Sequence, residues 1–584
     1  MTDLPEPEAA ADPLLARARA WIDQDPDPET RAELEALVAR GDLAELAERF
    51  RELDFGTAGL RGVVGAGPAR MNRAVIRRAT AAAAAHLHAR VTDTRSLPVV
   101  LGFDARASSR AFAEEAAGVL VAAGIPVRYF PEPVPTPLVA YAARQLAANA
   151  AVVVTASHNP PEYNGYKLYG AGAVQVVPPE DTQIADRMRA GAGAASIPVA
   201  AGALSGEQAL AEPVPASLFD RYLAELDALR PNVPRDHELA IVYTPLHGVG
   251  GRYVTQALRH AGFERVSAVA EQAEPDGAFP TVRFPNPEEP GALALAIAQA
   301  EREGAELILA TDPDADRLAA CVPTASGRWV QLTGNQIGLL LADFLLVHAP
   351  RAPRPLVVSS VVSSPMLGAV AEAHGARWER TLTGFKWIWT AALDLEAAGG
   401  VRYVFGYEEA LGYSVGRLVR DKDGVSAAVL LAELAAHERV AKRSLLDRLA
   451  DLYHRHGLWV SAQASATRPG AAGAAEIERA VAQIAGEPPA SVRGRAVVAT
   501  LDYRAGAESR PRWLGETPLL ELSLEGGGRV LVRPSGTEPK LKVYVDLRVE
   551  LAADASVAAA EEAALAEARA AAAEVLVAVG LGGA

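Results

Sequence analysis

The chain has 584 residues, half of them hydrophobic and 22% charged, which is enough apolar material for several packed cores and argues against wholesale disorder. At a typical ~150 residues per domain, the length suggests about four domains. A net charge of −15 argues against a general nucleic-acid binder, and the single cysteine, Cys321, excludes an internal disulfide and a multi-cysteine zinc site.

Residues 1–50 read as a helical N-terminal extension: Leu14 to Ile22 has helical spacing, Asp25-Pro26-Asp27-Pro28 breaks it, and Glu33 to Arg51 resumes it. The amino terminus is acidic and lacks a signal-peptide pattern. The longest apolar stretch, Ile337 to Val347, is interrupted by Asp343 and too short to span a bilayer. A cytoplasmic protein with no membrane or nucleic-acid partner is expected.

A first α/β unit, 51–215, shows a strand at Leu97 to Phe103, a polar loop, an Ala-rich helix stopped by Gly124, and a strand at Ile125 to Phe130, the pattern of a βαβ unit. In that polar loop Ser108 or Ser109 reads as the helix cap, and Asp104 with Arg106 as a structural pair. Next, the apolar run Ala151 to Val154 ends in Thr155-Ala156-Ser157-His158-Asn159-Pro160 and leads into Asn164-Gly165-Tyr166-Lys167. A buried strand ending this way holds a hydroxyl at the sheet edge. Ser157 is the candidate nucleophile, with His158 and Lys167 the nearest basic groups in sequence; a turn that bonds only its own backbone is the alternative. Residues 190 to 215, rich in Ala, Gly, Pro and Ser, read as a linker or surface excursion.

The second unit, 216–330, has a strand at Leu239 to Tyr243, a Gly-rich loop at 244–251 and a helix through His260. That loop has neither dinucleotide nor P-loop spacing, and His247 reads as structural. The strand Leu307 to Ala310 then ends in Thr311-Asp312-Pro313-Asp314-Ala315-Asp316-Arg317. Carboxylates at alternate positions repel one another and are best tolerated around a cation, and an all-oxygen set suits Mg²⁺. An EF-hand is excluded because Arg317 and Pro323 stand where Gly and Glu are required; a solvated acidic turn is the alternative. Cys321, just after this loop, reads as a buried small hydrophobe.

The third unit, 331–460, offers a strand at Pro355 to Val358, the loop Thr383-Gly384-Phe385-Lys386-Trp387, and a strand at Val401 to Phe405 that delivers Gly406-Tyr407-Glu408-Glu409-Ala410-Leu411-Gly412-Tyr413. Arg420 to Gly424 reads either as a turn whose Lys422 holds phosphate or as a solvated charge cluster. The last unit, 461–584, differs in order. Strands at Ala496 to Leu501, Leu519 to Leu524, Arg529 to Val532 and Leu541 to Val549 precede one long helix from Ser556 to Val579, as in a small α+β domain. The third of these strands leads into Arg533-Pro534-Ser535-Gly536-Thr537-Glu538-Pro539, whose arginine, hydroxyls and glycine-exposed amides suit a phosphate cradle; a surface turn looks the same.

Taken in order, Gly56-Thr57-Ala58-Gly59-Leu60-Arg61-Gly62, the Ser157 loop, the aspartate loop, Gly406 to Ala410 and the Arg533 loop resemble the α-D-phosphohexomutase family, the phosphoglucomutases and phosphomannomutases, over nearly the whole chain after residue 50. The resemblance implies an α/β protein of four domains, three similar α/β domains followed by a smaller α+β C-terminal domain, around a central cleft. It implies a phosphorylated Ser157 whose phosphate shares Mg²⁺ with Asp312, Asp314 and Asp316. Arg61 and Arg317 would neutralise developing charge, Lys167 would serve as general acid/base, and His158 would orient the phosphoserine. Substrate contacts would come from Lys386, Glu408, Glu409 and Lys422, with phosphate on Arg533, Ser535, Gly536 and Thr537.

The activity so implied interconverts glucose or mannose 1-phosphate and 6-phosphate through a sugar bisphosphate that also serves as activator. The Tyr407 to Tyr413 loop and Thr383 to Trp387 resemble the branch that also contains phosphopentomutases, so ribose or deoxyribose 1-phosphate is the nearest alternative. Ala410 stands where better-known branches carry serine, and a histidine that some carry shortly afterwards is missing. A metal-dependent phosphatase using Asp312 as nucleophile and a noncatalytic phosphosugar binder are the remaining readings. A monomer or homodimer is expected, with a phosphosugar as its only partner.

Overall fold

The computed structural model describes residues 13–51, 53, 59–468, 470–534, 540–552 and 555–582. Its strands form four separate sheets. In spatial order the first runs Leu60–Val63, Tyr163–Tyr169, Ala150–Val154, Val99–Phe103, Val127–Tyr129, Ala211–Pro213; the last four are parallel and the first two antiparallel to their neighbours. Val99–Phe103 and Ala150–Val154 are buried along their whole length, which is why they read as continuous apolar runs rather than alternating ones.

The second sheet runs Trp329–Gln331, Leu318–Pro323, Leu307–Thr311, Ile241–Thr244, Val266–Ala268, and the third Arg377–Thr381, Arg354–Ser360, Val401–Glu408, Gly412–Val415. Both keep a parallel core with antiparallel pairing at one side. The fourth is antiparallel throughout, in the order Leu458–Thr467, Lys540–Val549, Arg529–Pro534, Leu520–Leu524, Arg495–Asp502, Ser491–Val492.

One rule positions the loops of Ser157, the aspartates and Glu409. In each of the first three sheets a parallel strand turns back on an antiparallel partner, and the connection is the motif: Ala150–Val154 to Tyr163–Tyr169 carries Ser157, Leu307–Thr311 to Leu318–Pro323 carries the aspartates, and Val401–Glu408 to Gly412–Val415 carries Glu409. In the fourth sheet the hairpin Arg529–Pro534 to Lys540–Val549 brackets residues 535–539. A tight connection at the end of a buried strand fixes its side chains to the sheet, so the motifs inherit the rigidity of the cores behind them.

Several expectations need correction. The helix expected over Glu33 to Arg51 is two, Pro28–Arg40 and Leu43–Arg49, because Gly41 takes φ 65° and Asp42 accepts from Glu45 N to cap the second. The 190–215 stretch is not merely a linker: Ala211–Pro213 adds an edge strand to the first sheet, and Val199 and Ala200 pack against Gly118. In the last unit the strand Leu458–Thr467, which straddles position 460, and the helix Gly470–Gly486 were not foreseen. That strand alternates buried and exposed residues too weakly, through Ala and Ser, to stand out in sequence. The N-terminal helices close on a small core of Ala18, Leu34, Leu37, Leu46 and Phe50 that reaches Ala66 of the first domain. Ile337 to Val347 lies in the helix Gly334–His348, where Asp343 is ion-paired to Arg448, and among the described residues no helix is long and apolar enough to cross a membrane.

Candidate active site

Ser157 adopts φ 52°, a left-handed conformation uncommon outside glycine, and is 2% exposed. The loop is wound about the guanidinium of Arg106, which donates to the carbonyls of Ser157 (2.8 Å), Asn159 (2.5 Å), Pro160 (2.6 Å) and Tyr163 (3.0 Å). Arg106 is itself paired with Asp104 at 3.1 Å, and Asp104 also accepts from Thr155 Oγ1 (2.7 Å) and Ser109 Oγ (2.5 Å). A buried arginine that satisfies four carbonyls is what sustains the strained backbone. The Asp104–Arg106 pair expected from sequence exists, but its reach into the Ser157 loop carried no signal in the local spacing. Ser108 stands at the N-cap position without capping; its hydroxyl accepts from Asn164 Nδ2 instead.

Ser157 Oγ donates to Asp312 Oδ2 at 2.7 Å and lies 3.1 Å from His158 Nδ1. Asp312, Asp314 and Asp316 are each at most 1% exposed, and one oxygen from each falls within 4.8 Å of the others. Asp314 Oδ1 and Asp316 Oδ1 are buried with no hydrogen-bond partner. Orphaned carboxylate oxygens facing one another fit a hard divalent cation, and the donor set is all oxygen. Burial and the two neighbouring carboxylates push the Asp312 pKa well above the ordinary range. Burial also acts to raise Asp314 and Asp316, but the ammonium of Lys167, and for Asp316 that of Lys422 as well, outweighs it and holds both below. The solvated acidic turn is therefore ruled out by burial.

Four cations surround this acidic pocket. Lys167 Nζ bridges Asp314 Oδ2 (2.7 Å) and Asp316 Oδ2 (2.8 Å); burial works against its charge, yet the two aspartates keep its pKa raised. Lys422 Nζ reaches Asp316 Oδ2 at 3.1 Å and Asp421 Oδ1 at 3.4 Å. The turn that carries it is not solvated, since Asp421 and Asp423 are each 1% exposed and accept from Tyr169 and Tyr222 hydroxyls. Gly412 makes room for this lysine, because a Cβ there would lie 2.5 Å from Lys422 Cδ. Arg317 donates its backbone N–H to Asp312 Oδ1 (3.0 Å) and holds its Nε 3.9 Å from Asp312 Oδ2. Arg61, on the strand Leu60–Val63 beside Lys167's strand, donates to Asn159 Oδ1 at 2.9 Å. Close pairing of those strands requires Gly165, opposite Arg61, whose Cβ would meet Leu60 O at 2.8 Å and, on the Ser157 loop, Thr155 O at 2.5 Å. Burial and the guanidinium charges of Arg317 and Arg61 hold His158 neutral, its pKa well below the usual histidine value.

Sequence reasoning passed over Thr136, whose hydroxyl donates to Asp314 Oδ2 (2.6 Å) and whose N–H donates to Asp314 O (2.9 Å), tying the first sheet's domain to the aspartate loop. A lone threonine at the start of a helix gives no warning of that role. His247, read as structural, bonds Thr281 Oγ1 at 2.8 Å. Cys321 is buried and burial pushes its thiol up to about 12.

On the opposite side, Glu408 Oε1 accepts from Gly384 N at 2.6 Å, and Glu409 Oε2 accepts from Ser360 Oγ (3.1 Å) and Ser363 Oγ (3.3 Å). Burial, with Glu409 next to it, raises Glu408 to about 7, and burial raises Glu409 as well. Lys386 is 7% exposed, its pKa lowered by burial against the pull of Asp181, 3.5 Å away. Arg533 donates to Thr383 Oγ1 at 3.2 Å, which brings the strand before the fourth motif to the loop that bears Lys386. Gly56 to Ala58 and Ser535, Gly536 and Thr537 lie outside the described residues.

Four family models match in order along the chain: phosphoglucomutase/phosphomannomutase alpha/beta/alpha domain I over residues 52–194, domain II over 220–327, domain III over 333–456 and the C-terminal domain over 476–571. A probable phosphomannomutase of Haemophilus influenzae is 37% identical over 487 residues, 82% of this chain and 93% of its own length. A phosphopentomutase of Mus musculus is 33% identical over 582 residues, 94% of this chain and 93% of its own. A glucose 1,6-bisphosphate synthase of the same organism is 33% identical over 567 residues, 93% and 91% of the two chains.

Proposed function

The chain belongs to the phosphoglucomutase/phosphomannomutase family and is a phosphosugar mutase, and we propose that it interconverts hexose 1-phosphate and hexose 6-phosphate, of glucose or mannose, through a phosphorylated Ser157 and a sugar bisphosphate. The observation that carries this reading is the hydroxyl of Ser157, 2.7 Å from Asp312 Oδ2, beside two further buried aspartates, Asp314 and Asp316, each with one oxygen, Oδ1, that has no hydrogen-bond partner. A phosphoryl group on that oxygen would meet the acidic loop only with a cation between them. Mg²⁺ held by Asp312, Asp314 and Asp316 would supply charge neutralisation and orientation for the phosphoryl oxygens.

The chain's own residues account for the rest. The sugar's existing phosphate binds at Arg533 and the loop that follows it, Glu408 accepts from two sugar hydroxyls, and the free hydroxyl faces the phosphoserine. As the hydroxyl oxygen bonds to phosphorus, the bond from phosphorus to Ser157 Oγ breaks, leaving a sugar bisphosphate and a free serine. One proton leaves the sugar hydroxyl and one returns to Ser157 Oγ. Lys167, held as an ammonium, is the donor to the serine oxygen, and neutral His158, 3.1 Å away, can accept and orient. Arg61 and Arg317 offset charge on the transferring group. The bisphosphate turns end for end, and its other phosphoryl group returns to Ser157.

A pentose 1-phosphate substrate is the second reading, favoured by the phosphopentomutase likeness across nearly the full chain and by Ala410, which removes one hydroxyl from the sugar loop. Assay of the purified protein with Mg²⁺ on glucose, mannose and ribose 1-phosphates, each with a trace of its bisphosphate, decides between them. Conversion of the hexoses with the higher kcat/KM supports the first reading; a higher kcat/KM on ribose 1-phosphate replaces it with the second. Net production of bisphosphate in place of isomerisation would contradict both.

A further inference from the structure

The sheet that leads to Arg533 and the loop that bears Glu408 and Glu409 belong to different domains, yet a closed ring of hydrogen bonds joins them. Arg529 is four residues before Arg533 on the strand Arg529–Pro534 and is 4% exposed. Its Nε donates to Asp546 Oδ2 at 2.7 Å and its Nη2 to the carbonyl of Ser363, also at 2.7 Å. The other oxygen of Asp546 accepts from Ser461 Oγ (2.5 Å), Ser461 Oγ accepts from Asn335 Nδ2 (3.1 Å), and Asn335 Oδ1 accepts from the N–H of Ser364 (2.8 Å). The carbonyl of Ser363 and the N–H of Ser364 are the two polar ends of one peptide unit. That single peptide is thus gripped at both ends by arms that meet on Asp546.

The gripped peptide is in turn bonded to the sugar loop. Ser363 Oγ accepts from Glu409 N (3.1 Å) and donates to Glu409 Oε2 (3.3 Å), and Tyr407 OH donates to Asn335 Oδ1 (3.2 Å). A cavity of about 390 Å³ adjoins the ring, lined by Asn335, Ser364, Glu409, Ser461 and Asp546 among others. Apolar packing therefore does not hold these groups on that side, and their geometry depends on the hydrogen bonds themselves.

We propose that Arg529 and Asn335, anchored on Asp546, are positioning residues that set the distance between the hydroxyl-recognising Glu408–Glu409 loop and the phosphate-recognising Arg533. The ring then acts as a gauge of span: a sugar phosphate binds well when its phosphate and its hydroxyl pair are separated by the distance the ring holds. Counted to the C3–C4 hydroxyl pair of a hexose and the C2–C3 pair of ribose, the two 1-phosphates differ in that separation by one carbon, so the ring bears on the choice between them. This rests on the roles proposed above for the two loops.

The test measures kcat and KM separately for glucose 1-phosphate and ribose 1-phosphate in Arg529→Met, Arg529→Lys and Asn335→Ala. Loss of a buried, charge-assisted bond should raise KM for the better substrate about tenfold or more, and the ratio of the two kcat/KM values should move towards one. Arg529→Lys should recover part of both. Arg512→Ala serves as the control: it breaks the exposed Arg512–Asp394 ion pair (2.7 Å) across the same two domains and should change neither quantity. If Arg529→Met and Asn335→Ala both keep KM and the ratio within about twofold of the parent, the gauge is refuted. Should Arg529→Met not fold, Asn335→Ala decides, because it cuts the other arm and leaves the buried arginine paired. Glu408→Gln and Arg533→Met distinguish failure of the ring from failure of the underlying reading: if these leave kcat/KM intact, the loop roles are wrong.

Discussion

Around Asp312, Asp314 and Asp316 the buried carboxylates face cations, with Lys167 and Lys422 on their oxygens and Arg317 just under 4 Å from Asp312. The carboxylates of buried Glu408 and half-buried Glu409 face neutral donors, the amide of Gly384 and the hydroxyls of Ser360 and Ser363, and among the described residues neither is ion-paired. The first arrangement keeps the pKa values of Asp314 and Asp316 low under burial, while Asp312, with no ammonium on its oxygens, is raised; the second leaves carboxylates whose charge burial opposes and whose free lone pairs suit sugar hydroxyls. On the proposed reading the first group serves chemistry and the second recognition, and variants of the two should fail differently.

The largest effect is expected on the chemical side. Ser157→Ala should lower kcat by about 10⁴-fold or more with an unchanged melting temperature, because the hydroxyl is lost and no core contact goes with it. A variant that retained more than about a tenth of the activity would remove Ser157 from the reaction. Next, chelation of divalent metal should abolish turnover, Mg²⁺ should restore it, and Asp314→Asn should weaken the metal requirement curve by about 100-fold. Full activity in the presence of chelator would contradict a cation site at the three aspartates.

Arg106→Met tests whether the chemical half depends on its scaffold. Loss of a guanidinium that satisfies four carbonyls and Asp104 should destabilise the first domain by about 3–5 kcal/mol and reduce kcat far more than it changes KM. Denaturant unfolding with steady-state kinetics measures both, and an unchanged unfolding midpoint would show that the loop stands without it.

The smallest effect belongs to the recognition half. Glu408, raised to about 7 by burial and by Glu409 and restrained by Lys422 and Arg317, is protonated below that pH and ionised above it. An acceptor carboxylate gains as it ionises, so KM should fall as pH rises through 7, and Glu408→Gln should flatten that dependence while raising KM about tenfold at pH 8. A parent KM that is flat between pH 6 and 8 would count against Glu408 as the hydroxyl acceptor.

The sequence carried the motifs better than it carried what joins them. Ser157 and the three aspartates stand out because each follows an apolar strand, and the structure gathers them from 155 residues apart in one contact. Strand ends and motif residues are local patterns, and local patterns survive in sequence. Arg106, Thr136 and the Arg529–Asp546–Ser461–Asn335 ring were not legible, since each acts on backbone or side chains distant in the chain and uses residue types that are common at surfaces. The solvated-turn reading of Arg420 to Gly424 had the charges right and the burial wrong: Tyr169 and Tyr222, from two other elements, bury Asp421 and Asp423. The N-terminal helices split at Gly41 because a left-handed glycine stops a helix whatever periodicity follows it.

The most direct test of the account is mass spectrometry of the peptide containing Ser157 after incubation of the protein with Mg²⁺ and a sugar bisphosphate, then with excess sugar monophosphate. The account expects one phosphoryl group on Ser157 after the first step and its transfer to the sugar in the second. A chain that turns substrate over while Ser157 never carries phosphate would contradict it.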